Sequence, residues 1–318
     1  MTHAQLSKNS VSNINIARLS VISNTVLTIG KLTCGIWMSS TAVISEGVHS
    51  GIDLIAAGIA FLSVRKSGLP ADREHPFGHG RYENISGFVE GVLIFMAALL
   101  IIIEAVEKIL NPSEVRELNV GMVIMGISAA VNILISSLLF RVSRKTESIA
   151  IEADAEHLRT DVITSLGVLG GLLVIKLTGW HILDPLIAMG VAGLIISVAV
   201  RITRKSFEGL VDTKISADEE RRIIRAIEEE SQKMVWLHQI RTRKAGVDRF
   251  VDLVLYGCHN LDIEKVHEIC DMIESKIKSE INNANVLIHV EPCPDQKCSH
   301  VLSECRMPPG TGIPEPER

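Results

Sequence analysis

Six apolar stretches, at approximately 15–37, 41–64, 84–109, 119–141, 148–177 and 182–204, dominate this 318-residue chain as far as Phe207. A helix crosses bilayer hydrocarbon with about 20 mostly apolar residues. Lipid offers backbone N–H and C=O groups no partner, so each stretch must satisfy its own as a helix. The pattern therefore predicts an α-helical membrane bundle of six transmembrane helices over 15–207, preceded by a short segment, 1–14. The fifth stretch is the instructive one. Its uninterrupted apolar run, Val162 to Ile175, is too short to span alone, so the crossing helix must take in the polar residues from Glu152 to Asp161.

Lysine and arginine placement orients the bundle. The links after the second, fourth and sixth stretches carry Arg65, Lys66, Arg73 and Arg81; Arg141, Arg144 and Lys145; and Arg201, Arg204 and Lys205. The opposite links hold only Lys108, Arg116 and Lys176. Both termini are expected on the cytoplasmic side. No signal-peptide pattern stands at the start. Glycines 167, 170, 171, 190 and 193 on the last two stretches suit close helix packing.

Beyond Phe207 the composition is that of a soluble domain. Ser216 with Glu219 three residues on reads as a capping box opening a helix over 216–232. Two β-rich stretches, 236–243 and 249–257, flank Ala245-Gly246-Val247-Asp248, and an amphipathic helix over 262–281 presents Val266, Ile269, Cys270, Ile273 and Ile277 at helical spacing. A last strand, Val286 to Val290, stops before Pro292. The order α-β-β-α-β predicts a small α+β domain over 208–292 with helices on one sheet face. Residues 293–318 form a Cys- and Pro-rich tail without a folding pattern, in which Cys293, Cys298, His300 and Cys305 make a loose cluster lacking any CxxC pair. The net charge of −5 argues against a nucleic-acid partner.

Chemistry enters with ionisable groups inside the apolar stretches, which are costly there and usually mark an ion path. A histidine and an aspartate four residues apart occur twice, as His49 with Asp53 and as His157 with Asp161. Positions i and i+4 share a helix face. Two such helices side by side would offer two imidazoles and two carboxylates, a complete tetrahedral zinc-type shell. A second constellation lies in the link Asp72-Arg73-Glu74-His75-Pro76-Phe77-Gly78-His79-Gly80-Arg81-Tyr82-Glu83, where Asp72, His75 and His79 suit either a cation near the membrane surface or a polar, turn-forming loop that binds nothing. The soluble domain holds His238, Asp252, His259, His267, His289 and Glu291, each of which read singly is a surface residue.

His75-Pro76-Phe77-Gly78-His79-Gly80-Arg81-Tyr82-Glu83, the HxxxD pairs and the α-β-β-α-β tail together resemble the cation diffusion facilitators, a family that exchanges divalent metals for protons. The resemblance runs from about Asn15 to Pro292. It implies that His49, Asp53, His157 and Asp161 form the transport site and that Asp72, His75 and His79 form a second site. It also implies a metallochaperone-like tail that dimerises and binds further metal through His238, His267, His289 and Glu291. Val254 stands where some members have a histidine, and Asp252, two residues earlier on the same strand face, is the candidate replacement.

These readings predict an integral membrane homodimer, of bacterial inner-membrane type, that exports Zn²⁺ in exchange for protons. Cd²⁺, Fe²⁺, Co²⁺ and Ni²⁺ are the other cations such ligands accept. An intramembrane zinc hydrolase is disfavoured, because catalytic zinc keeps an open position and no HExxH occurs. The remaining alternative is a membrane-anchored metal sensor that transports nothing.

Overall fold

A computed structural model describes residues 3–37, 41–110, 118–178, 183–231, 235–258 and 261–293. They fall into two compact units, one over Lys8–Leu210 and the other grouping Met1–Ser7 with Val211 onward. The membrane unit consists of α1 (His3–Trp37), α2 (Thr41–Ser67), α3 (Arg81–Leu110), α4 (Leu118–Thr146), α5 (Ile149–Thr178) and α6 (Leu183–Glu208). Within the described residues, Arg81–Glu107, Gly126–Thr146 and Pro185–Glu208 are long and apolar enough to cross a bilayer. α5 runs unbroken from Ile149, so the polar stretch that holds His157 is helical. α1 begins at His3 rather than near residue 15, because the polar lead-in continues the same helix.

The first helix is built inside out. Ile22, Val26 and Ile29 are exposed, while Ser20, Asn24, Thr28 and Lys31 are buried. Water would punish that arrangement; lipid around the bundle favours it, with polar groups turned inward to find partners. Thr28 Oγ1 donates to the Ser50 carbonyl at 2.8 Å and Lys31 Nζ to Ser50 Oγ at 2.7 Å, fastening α1 to α2.

Contact between α3 and α6 is close because two α3 glycines allow it. A Cβ on Gly91 would come within 2.9 Å of the Thr203 backbone N, and one on Gly87 within 2.5 Å of Ser206 Oγ. On the last two helices only part of the small-residue expectation holds. Gly167 meets Val191, but Gly190 and Gly193 face open space.

Glu83, in the first turn of α3, joins three helices. Its Oε1 accepts from Ser67 Oγ at 3.0 Å, in the last turn of α2. Its Oε2 accepts from Ser148 Oγ at 2.6 Å and from Ile149 N at 3.1 Å. The second pair caps α5, whose first N–H groups have no intrahelical acceptor.

The C-terminal unit comprises α7 (Ala217–Glu230), β1 (Val235–Ala245), β2 (Asp248–Gly257), α8 (Ile263–Glu280) and β3 (Ala284–Pro292). Ser216 caps α7 and Glu219 returns the bond, completing the capping box. β1 and β2 form an antiparallel hairpin, whose turn uses Gly246 at φ 61. α8 then crosses over to place β3 parallel to β2, giving the sheet order β1-β2-β3. β3 extends through Pro292, which lacks an N–H but costs an edge strand little. Alternate β2 residues Val251, Leu253 and Leu255 pack with Ile223, Ile227, Ile269, Ile273 and Ile277 in one core. Both helices therefore cover one face, and the other carries Asp252, Val254 and Tyr256. Buried Arg249 donates to Glu219 at 3.0 Å, tying the capping box to the hairpin, and burial pulls its guanidinium down to about 10.

Candidate metal-binding sites

α2 and α5 bring the membrane ligands together. His157 Nε2 lies 3.2 Å from Asp53 Oδ1, and both residues are 6% exposed. One ligand atom each from Asp53, His157 and Asp161 lies within 4.8 Å of the other two. Tetrahedral ligands about 2.0–2.2 Å from a zinc ion stand roughly 3.3–3.6 Å apart, so a small contraction would bring these three to such a shell. His49 sits on α2 one turn before Asp53; its side chain lies outside the described residues. The local cause is periodicity. HxxxD on a helix aims both groups along one stripe, and here Asp53 on α2 faces His157 on α5.

The link between α2 and α3 holds the second group. Asp72 Oδ1 accepts from the backbone N–H groups of Glu74 and His75 at 2.9 and 2.6 Å, an Asx turn that fixes the loop. The same oxygen lies 3.3 Å from His75 Nδ1, and Oδ2 lies 3.3 Å from His79 Nε2. The backbone hydrogen bond from His75 holds the Asp72 carboxyl below its ordinary value, although burial works against this. Gly78, at φ 83, supplies a turn that a side chain would strain. His75 and His79 lie with ring centroids 4.4 Å apart, and His79 stacks on Tyr82, whose other neighbour is Lys66 Nζ at 4.3 Å. One carboxylate and two imidazoles thus converge at one end of a loop, with His79 buried and Asp72 exposed.

The soluble domain brings its candidates together less completely. His289 and Glu291 lie on the helix-free face of β3, with Nε2 and Oε1 3.6 Å apart. His289 pairs in register with Val254, and Glu291 with Tyr256. His238, at the β1 bulge, stacks on Tyr256 with ring centroids 4.4 Å apart. Asp252 projects from that same face, paired with Leu287 rather than with a ligand. His267 is exposed on α8 and lies 3.6 Å from Asp271. Among the described residues of this unit no three ligands share one point. His259, Cys298, His300 and Cys305 lie outside them.

Sequence reasoning passed over two buried charged residues in the membrane helices, Lys31 and Glu90. An ionisable side chain within an apolar stretch is itself the signal that could have found them.

A helical membrane unit with buried His and Asp side chains able to hold a metal ion, joined to a small α+β domain, fits a membrane protein that handles metal cations. Residues 17–211 match the cation efflux transmembrane domain and residues 215–293 the cytoplasmic domain of cation efflux proteins. The chain belongs to this family, the cation diffusion facilitators, which are efflux transporters. It is 33% identical over 258 residues to the uncharacterized transporter sll1263 of Synechocystis sp., covering 81% of this chain and 83% of that one. It is 29% identical over 276 residues to the cation-efflux pump FieF of Shewanella oneidensis, covering 87% and 93%. FieF of Citrobacter koseri is also 29% identical, over 274 residues, covering 86% and 91%. A solved structure of the putative zinc transporter CzrB in its zinc form aligns to 26% of this chain and 92% of that one, at 27% identity and a TM-score of 0.24.

Proposed function

We propose that this protein exports a divalent cation, Zn²⁺ first among the candidates, in exchange for protons through His49, Asp53, His157 and Asp161. The observation that carries this reading is the convergence of Asp53, His157 and Asp161 between two helices of the membrane unit. Metal and protons compete for the same nitrogen and oxygen atoms, because only deprotonated groups coordinate. Loading from one side would therefore release protons, and protons arriving from the other would release the metal. Alternating access needs only that α2 and α5 expose the quartet to one side at a time.

Asp72, His75 and His79 would bind the cation near the membrane surface. In a homodimer, His238, Asp252, His267, His289 and Glu291 would bind metal across the interface and bias the transporter toward its active state. Both termini would face the cytoplasm, with the protein in a bacterial inner membrane. The ligand set also suits Cd²⁺, and Fe²⁺, Co²⁺ and Ni²⁺ remain competitors. The test is metal flux into proteoliposomes under a pH gradient. The parent should move Zn²⁺ and acidify the opposite compartment, and Asp161→Ala should do neither. Parent-rate flux in that variant would remove the quartet from its assigned role.

A further inference from the structure

Glu90 lies on α3, seven residues and so roughly 10 Å along the helix from Glu83. It is completely buried, and neither carboxylate oxygen has a hydrogen-bond partner among the described residues. α3 packs against α5, which carries two further buried ionisable residues, Asp154 and His157. His157 leaves a matching deficiency. Its Nε2 is directed at Asp53, while its Nδ1 is buried with no partner. A neutral imidazole that coordinates through one nitrogen carries its proton on the other. That N–H needs an acceptor, and in metal sites the acceptor is commonly a carboxylate that fixes the ring's tautomer and orientation.

We infer that Glu90 is a positioning residue for the transport site: its carboxylate accepts the His157 Nδ1–H, directly or through one water, when a metal occupies Nε2. This rests on the quartet reading above and deepens it. An orphaned donor and an orphaned acceptor, each buried, would satisfy each other. Asp154 is the rival acceptor, with one unpartnered oxygen of its own. It stands three residues before His157 on the same helix and so competes for it, but only one of its oxygens lacks a partner, whereas both oxygens of Glu90 do. Accepting this bond would also tie α3, which carries neither HxxxD pair, to the state of the metal site.

The experiment measures Zn²⁺ transport by the full chain in proteoliposomes, as KM and kcat, beside thermal unfolding of each purified variant. Glu90→Met removes the acceptor and an unpaired buried carboxylate together. Its melting temperature should hold or rise, while KM for Zn²⁺ should increase about tenfold or more. Glu90→Gln keeps a carbonyl acceptor and should recover most of that loss. Unchanged KM in Glu90→Met would overturn the inference, as would a loss carried by Asp154→Asn instead. A KM change no larger in Glu90→Met than in Glu90→Gln would overturn it too. His157→Ala separates the two levels. Full flux in that variant defeats the quartet reading and this inference with it, whereas a dead His157→Ala beside a normal Glu90→Met defeats this inference alone.

Discussion

His157 Nε2 and Asp53 Oδ1 face each other at 3.2 Å across the contact of α5 and α2, although 104 residues separate them in sequence. The pair gives the sharpest expectation for function. Asp53→Asn keeps the shape and removes the charge that a bound dication needs. Zn²⁺ flux should fall roughly a hundredfold or more, beyond the usual cost of losing an outer-shell partner. Helical content should stay unchanged by circular dichroism. Flux within a few-fold of the parent would show that this carboxylate does not hold the cargo.

The loop site has a defined acid limit. Asp72 is held below its ordinary value chiefly by the His75 backbone N–H, so the ionised carboxylate is the form that organises the turn. A depressed folded-state value stabilises above the unfolded value, near 4, and that stabilisation is lost as pH falls through the lowered one. Hydrogen-exchange protection of the Glu74 and His75 amides should hold from neutral pH to about 4 and fall below it. Protection that stays unchanged well below pH 4 would remove the carboxylate from this role. Asp72→Asn should weaken protection at every pH.

Removing the three-helix junction should be costly without touching a ligand. Glu83→Ala leaves Ser148 Oγ, Ser67 Oγ and the Ile149 N–H short of an acceptor, two of them in buried surroundings. The loss should be about 1–3 kcal/mol for each group that stays dry. It is read as a lower unfolding temperature in detergent. An unchanged melt would mean that water reaches this end of the bundle.

Two substitutions in the C-terminal unit should differ in scale. Ser216→Ala removes the capping-box side chain and should cost about 1 kcal/mol. Ile273→Ala empties a fully buried core position and should cost about 2–5 kcal/mol. Exchange protection of the β2 amides in the full chain reports both. Equal effects would contradict the placement of Ile273 in the core between helix and sheet.

Long apolar stretches made the membrane helices legible, since lipid leaves a chain no other local solution. The soluble unit was legible from shorter signals: the Ser216–Glu219 box, the Gly246 turn and the spacing of Ile269, Ile273 and Ile277. Position inside a helix was read well, but contact between helices was not. Gly190 and Gly193 looked like packing residues, yet Gly87 and Gly91 make the close approach, because helical spacing alone does not say which face meets a neighbour. The site divided in the same way. Two HxxxD pairs announced themselves by local repetition, whereas Glu90 signalled only an ionisable group in an apolar stretch, its surroundings set by α5, which begins at Ile149. The sheet-face residues of the soluble unit were found, but their grouping depends on strand register, which sets His289 against Val254.

The Glu83 junction also sets a mechanical scale. It holds α2 at Ser67 and α5 at Ser148 and Ile149, near one end of each ligand-bearing helix. Fourteen residues of α2, roughly 21 Å of helix, separate Ser67 from Asp53. With that end pinned, the two helices would act as tongs about the proposed site. A swing of about 10° carries Asp53 roughly 3–4 Å, more than the length of a metal–oxygen bond of about 2 Å. On the proposed reading, a tilt too slight to disturb the packing near the pivot would open the grip on the ion.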